Sequence, residues 1–346
     1  MGVLMRLAVL GAGSWGTALA IHLARLGHDV TLWVHGSETY EALRRHRENT
    51  LYLPGIVLPP GVDVTPEPTE ALRDAEGIVV CVPSSWFRAT LRTFRPVWSA
   101  RPEAVWVVSA TKGIEPETYA TMSEILRQEW PGLDDVRLAV LSGPSFAREV
   151  AEERPTAVVV ASPVEALAER LQAVFHGRNL RVYRNTDRRG VELAGAMKNV
   201  MALAAGMAAG LQLGHNAVAA LITRGLAEMV RLGTAMGARP ETFYGLAGVG
   251  DLVLTCTGPL SRNRMVGYRL GLGESLDQIL QGFRMAVEGI PTARALKSWA
   301  DAHGIDAPIT QAVYGVLYEG FPIRKAVQRL LERPLKSEEE TMDYGP

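Results

Sequence analysis

Lys198 and Asn199 sit in the middle of VELAGAMKNVMALAAGM, a stretch that is otherwise apolar and helical in its spacing. The chain carries 31 arginines and only five lysines, so a lysine here departs from its own habit. Arginine stays charged at every working pH, whereas a lysine in apolar surroundings can lose and regain a proton. The pair therefore points to proton transfer. The plainer alternative is a lysine snorkelling from an amphipathic face. GVGDLVLTCTG adds Asp251 and Thr255, an acid and a hydroxyl in apolar company. PLSRNRMVG places Ser261, Arg262, Asn263 and Arg264 at an expected helix start, where guanidinium and backbone N–H groups together suit a phosphate. Its plainer alternative is a serine N-cap with solvated arginines. VVSATKGIEP sets Lys112 just past a strand end, and LSGPSFAREV sets Ser142, Gly143 and Ser145 past another. In open α/β sheets that edge is where ligands bind; either segment alone also reads as an ordinary loop.

A second constellation opens the chain. GAGSWG places Gly11, Gly13 and Gly16 directly after an apolar strand and at the start of a helix. That context suits a dinucleotide: the first glycine allows a tight turn, the second lets backbone approach a pyrophosphate, and the third lets helix and strand pack closely. An NAD-specific site would carry an acid at the end of the second strand, but LWVHGSE has His35 there and Glu38 three residues on. Without that carboxylate nothing repels a 2′-phosphate, so NADPH is expected to be accepted. A surface histidine without a ligand is the plainer reading of His35.

The elements that must position these residues fall into two kinds. RLAVLGAG, DVTLWVH, EGIVVCVP, AVWVVSAT, VRLAVLSGP and TAVVVAS are short runs bounded by turn residues and alternate with helical patterns. This predicts a Rossmann-like, doubly wound, mostly parallel α/β sheet over 1–188. Beyond that the Val-rich runs stop, and helices are expected near 190–210, 216–236, 261–271, 290–303, 308–319 and 323–332, an all-α domain over 189–346. The tail KSEEETMDYGP is expected to fray.

Composition excludes several classes. The chain has 346 residues, 47% hydrophobic and 21% charged, with a formal net charge of −1. A real core is therefore expected, and the basic footprint of a nucleic-acid binder is missing. Cys81 and Cys256 give no disulfide framework and no metal spacing, which points to a cytoplasmic home. The N-terminal apolar stretch is explained by its glycine spacing rather than as a signal segment, and Arg6 stands where myristoylation wants Ser or Thr. No apolar run is long enough to span a membrane.

GAGSWGTALA, SATKGIE, SGPSFA, ELAGAMKNVMALAAG, AGVGDLVLTC and SRNR, in this order, resemble bacterial-type NAD(P)-dependent glycerol-3-phosphate dehydrogenase. The resemblance implies reversible reduction of dihydroxyacetone phosphate to sn-glycerol 3-phosphate, a phospholipid precursor, with NADPH and/or NADH. It implies Lys198 as the catalytic lysine, and Lys112 as a second lysine touching substrate and cofactor. It places Gly143, Ser145, Asp251, Ser261, Arg262 and Asn263 in the substrate pocket. Ser14, Trp15, His35, Ala147, Arg262 and Glu288 fall on cofactor positions. Our own reading adds Asp251 as orienter of the lysine, and Asn199 and Thr255 as pocket residues. Asn199 either donates to a substrate oxygen or holds a neighbouring loop. Arg262 and Asn263 are expected to grip the phosphate, with substrate between the domains. A homodimer is expected from the apolar second-domain helices. Two other readings stay open: another two-domain hydroxy-acid or ketopantoate-type reductase, and a nicotinamide-binding regulator without catalysis.

Overall fold

The computed structural model describes residues 4–99, 105–282, 284–335 and 337–338. The polar tail from Lys336, expected to fray, lies almost wholly outside the described residues. The chain divides into two compact units, one formed by 1–111 and 122–188, the other by 112–121 and 189–346. The short segment that opens with Lys112 thus belongs to the helical unit, whereas the sequence pattern assigns it to 1–188.

The first unit is built on an eight-stranded sheet. Its strands are β1 (Arg6–Leu10), β2 (Asp29–Trp33), β3 (Val62–Thr65), β4 (Gly77–Val80), β5 (Trp106–Ser109), β6 (Leu138–Ser142), β7 (Thr156–Ala161) and β8 (Leu180–Asn185). Their order is β3-β2-β1-β4-β5-β6-β7-β8. All neighbours run parallel except β6 and β7, so the last two strands run against the rest. The connecting helices are α1 (Ser14–Arg25), α2 (Ser37–His46), α3 (Pro68–Leu72), α4 (Ser84–Trp98), α5 (Met122–Glu129), α6 (Ala147–Ala151) and α7 (Glu165–Phe175). Strands β4, β5 and β6 are buried along their whole length, as their continuous apolar runs demand. β3 and β8 go beyond the expected strands, because neither is an apolar run. β8 (LRVYRN) alternates buried and exposed along most of its length, as an edge strand does.

The chain winds outward from β1 to β2 and β3, then returns to lay β4 on the other side of β1. The glycine loop leaves β1 at this reversal, the place where open α/β sheets bind ligands.

The second unit is helical: α8 (Arg188–Gly210), α9 (Gly214–Ala235), α10 (Asp251–Thr257), α11 (Arg262–Gly271), α12 (Leu276–Gln281), α13 (Gly289–His303), α14 (Pro308–Tyr318) and α15 (Ile323–Leu331). α8 is buried over nearly its whole surface, so its neighbours enclose it on all sides. Two glycine pairs let α11 approach it backbone to backbone. A Cβ on Gly206 would stand 2.1 Å from the Arg264 carbonyl oxygen, and one on Gly267 2.1 Å from that of Leu203. Gly210 and Gly271 meet one turn further on.

Candidate active site

Lys198 lies midway along α8 and is only 6% exposed. Its ammonium donates to Asp251 Oδ1 at 3.1 Å and to Thr255 Oγ1 at 2.7 Å. Asp251 and Thr255 stand four residues apart on α10, hence on one face, and the Thr255 hydroxyl donates to the Asp251 carbonyl oxygen at 2.6 Å. A single π-turn, Leu246–Gly250, precedes Asp251 and aims the start of α10; Gly248 within it has no room for a Cβ, which would fall 1.9 Å from the Phe243 oxygen. Lys112 donates to the other carboxylate oxygen, Oδ2, at 2.7 Å. One buried carboxylate therefore holds two lysines, and all four residues belong to the helical unit.

This arrangement sets the proton affinities. Burial lowers the pKa of Lys198 from 10.5 to about 8, with Lys112 pushing the same way and Asp251 resisting. Burial would raise the pKa of Asp251, but the two lysines outweigh it and keep the carboxyl below its ordinary value, hence ionised. Of the three ammonium protons of Lys198, two are engaged, and the third has no acceptor among the described residues.

Beside the cluster, Asn263 Nδ2 donates to Asn199 Oδ1 at 2.9 Å, and the Gly289 backbone N–H donates to Asn263 Oδ1 at 2.9 Å. Ser261 is the N-cap of α11, accepting from the Arg264 N–H at 3.2 Å. Arg262 donates to the Ala286 carbonyl oxygen at 2.9 Å. Its pKa is lowered by burial and partly restored by Glu288, so these two cofactor-position residues are neighbours. The expected phosphate grip of Asn263 meets a competing fact: its oxygen and one amide proton are already engaged inside the protein.

The remaining expected residues lie on the first unit. Gly11 has φ +114°, and a Cβ there would sit 2.9 Å from the Cys81 oxygen; one on Gly16 would sit 1.8 Å from the Gly11 oxygen. Gly13, by contrast, has nothing among the described residues within 4 Å of a Cβ, and none of their side chains caps the α1 N-terminus that it begins. The Trp15 indole Nε1 is buried without a partner among the described residues. An open approach at Gly13, an uncapped helix start and an orphan donor fit a dinucleotide. His35 is exposed just past β2, its ring 5.7 Å from that of Trp33. Ser142 ends β6, Gly143 follows with φ +122°, Ser145 Oγ donates to the Gly143 oxygen at 3.0 Å, and Ala147 opens α6.

Asn49 escapes a reading of the sequence. It is fully buried, and its Nδ2 donates to the Ala12 oxygen at 2.9 Å and to Thr17 Oγ1 at 2.8 Å. It pins the glycine loop from outside the motif. A polar residue in RENTLYLP gives no spacing to betray this; only the tertiary contact does. Among the described residues no group of His, Cys, Asp or Glu is placed to hold a metal ion.

A glycine loop at the reversal of a doubly wound sheet, carried in one chain with a buried lysine–carboxylate–lysine cluster, defines a nicotinamide-dependent oxidoreductase. The model of the NAD-dependent glycerol-3-phosphate dehydrogenase N-terminus matches residues 6–168, and that of its C-terminus residues 187–328. The chain is 51% identical over 333 residues to a glycerol-3-phosphate dehydrogenase (NAD(P)+) of Geobacter sp. (strain M21), covering 96% of this chain and 98% of the relative. It is 52% identical to that of Geobacter sulfurreducens, with the same coverage. A crystal structure of glycerol-3-phosphate dehydrogenase from Coxiella burnetii superimposes with a TM-score of 0.90 at 40% identity, covering 95% of this chain and 99% of that one. The chain belongs to the NAD-dependent glycerol-3-phosphate dehydrogenase family.

Proposed function

We propose that this chain catalyses the reversible reduction of dihydroxyacetone phosphate to sn-glycerol 3-phosphate with NADPH or NADH, feeding glycerophospholipid synthesis. The observation that carries the reading is the buried Lys198 ammonium, with one proton left for an oxygen outside the protein. Bound reduced nicotinamide supplies the hydride, and the first unit holds it at the glycine loop, Ser14, Trp15, His35 and Ala147. As charge grows on the ketone oxygen, the Lys198 ammonium stabilises it and delivers the proton. In the reverse direction neutral Lys198 removes the proton from the alcohol. Asp251 keeps Lys198 charged and aimed, and Thr255 fixes the ammonium's second contact. Lys112 adds positive charge beside the substrate, and Arg262 anchors its phosphate, with Ser261, Gly143 and Ser145 completing the contacts. Glu288 and Lys112 contact the cofactor.

Two coarser readings accompany this. No helix among the described residues is long and apolar enough to cross a membrane, and both cysteines are free; we place the enzyme in the cytoplasm. Met265 and Tyr268 on α11 are exposed, with Leu260 just before the helix and Leu272 just after it; this apolar stripe supports a homodimer, to be read by sedimentation velocity. The activity itself is tested by oxidation of NADH and NADPH in the presence of dihydroxyacetone phosphate. No turnover by folded protein with either cofactor would sink the assignment.

A further inference from the structure

We propose that Asn49 is a positioning residue for the cofactor: by holding the Ala12 carbonyl oxygen inside the fold, it turns the Gly13 N–H outward, toward the pyrophosphate of a bound dinucleotide. The proposal rests on the dehydrogenase reading above and adds to the glycine loop a residue that its motif does not contain.

Asn49 is fully buried, so each polar atom of its amide needs a partner. The Tyr52 backbone N–H meets one end of the amide at 3.1 Å. An N–H can only donate, so that end is the oxygen. The other end is then the NH2 group, and its two protons go to the Ala12 oxygen at 2.9 Å and to Thr17 Oγ1 at 2.8 Å. A flipped amide would set oxygen against the Ala12 oxygen and strand the Tyr52 N–H. The direction of the grip is thus fixed.

The consequence lies across the peptide bond. The Ala12 carbonyl and the Gly13 N–H belong to one trans peptide unit and point in opposite directions. With the carbonyl drawn in to Asn49, the N–H is turned away from it. The Gly13 carbonyl accepts from the Thr17 N–H at 3.0 Å in the first turn of α1, but the Gly13 N–H has no acceptor among the described residues. It is a donor left over at the start of a helix, where an anion is favoured. The same segment holds the next residue: the Tyr52 oxygen accepts from Ser14 Oγ at 2.7 Å. Without Asn49 the Ala12 oxygen can turn outward, and an oxygen there repels a phosphate.

The test compares the wild type with Asn49→Ser and Thr17→Val. A serine at 49 can still accept from the Tyr52 N–H, as serine does in turns, but its hydroxyl is too short to reach Ala12. Thr17→Val removes the other partner of Asn49 and leaves the bond to Ala12. Both substitutions should lower the denaturation midpoint. Only Asn49→Ser should weaken binding of NADH and ADP-ribose, on the order of tenfold, the scale of a lost hydrogen bond to a charged group. Adenosine, which lacks the pyrophosphate, should bind as before, and kcat at saturating cofactor and KM for dihydroxyacetone phosphate should stay within a few-fold of the wild type. Equal losses in the two variants, or a loss in Asn49→Ser that extends to adenosine, would reduce Asn49 to a packing role and overturn the proposal. Amide hydrogen exchange in the wild type reads the same geometry without any substitution. The Gly13 N–H should exchange freely in the unliganded protein and be protected by ADP-ribose; protection already present without ligand, or none with it, would overturn the proposal alone. A wild type that binds neither NADH nor ADP-ribose would sink the dehydrogenase reading and the proposal with it.

Discussion

Lys198 is a cation in a helix whose surface is buried nearly throughout, and its chemistry follows from that conflict. Burial draws its pKa toward about 8, and Asp251 keeps it from falling further. On the proton-transfer role proposed for Lys198, ketone reduction needs the ammonium, so its rate should decline as pH rises through about 8, while alcohol oxidation, which needs the free amine, should rise over the same range. Rate profiles in both directions check this; parallel profiles would remove Lys198 from proton transfer. Asp251→Asn removes the charge that raises the lysine's pKa. The descending limb for reduction should then move to lower pH and kcat should fall, as two cations are left facing each other. A profile unmoved by the substitution would show that Asp251 does not tune the lysine. His35→Asp should shift preference from NADPH toward NADH, read from the ratio of kcat/KM for the two cofactors.

Helix and loop ends decide where these residues stand, and they are unevenly legible in the sequence. The glycine loop can be read because its spacing encodes a backbone requirement, and the structure supplies the reason: Gly11 and Gly16 have no room for a side chain, and Gly13 faces open space. Lys198 can be read because it interrupts an apolar pattern. α10 is not among the expected helices, although Asp251 and Thr255 four apart are the available clue. Asn263 reads as a phosphate ligand from its neighbour Arg262, and the partners it has within the protein, Asn199 and Gly289, are 64 and 26 residues distant. No local pattern reports such partners. Gly289→Ala should disturb α8, α11 and α13 together, since its Cβ would collide with Asn199 and Asn263. A lowered denaturation midpoint and reduced kcat are expected; a variant with wild-type values of both would refute the tight crossing. A second buried acid, Glu228 on α9, has a structural part: it accepts from the Ile309 and Thr310 backbone N–H groups at 2.8 Å each and from the Thr310 hydroxyl at 2.7 Å. It thereby caps α14 from another helix. Glu228→Ala should cost roughly 2–4 kcal/mol of stability, the scale of several buried hydrogen bonds lost with their donors left unpaired, with kcat in the surviving folded protein near that of the parent.

At the scale of the whole molecule the expected site residues divide between two units. The glycine loop, Asn49 and the strand ends that follow β2 and β6 belong to one unit, whereas Lys112, Lys198, Asp251 and Thr255 all belong to the other. The alternation of strands and helices leads to an expected boundary between 188 and 189. Nothing along the chain signals that 112–121 groups with the helices or that Lys112 pairs with Asp251. Proton transfer by Lys198 should be separable from cofactor binding by a single substitution, because Lys198 is not among the residues assigned to the cofactor. The most direct measurement is oxidation of NADPH and NADH with dihydroxyacetone phosphate by the wild type and by Lys198→Ala, with cofactor binding followed in both by fluorescence. The expected result is turnover by the wild type, a loss of about 10²–10⁴-fold in the variant, and equal cofactor binding. Turnover in Lys198→Ala within a few-fold of the wild type would contradict the assignment of Lys198 as the proton donor.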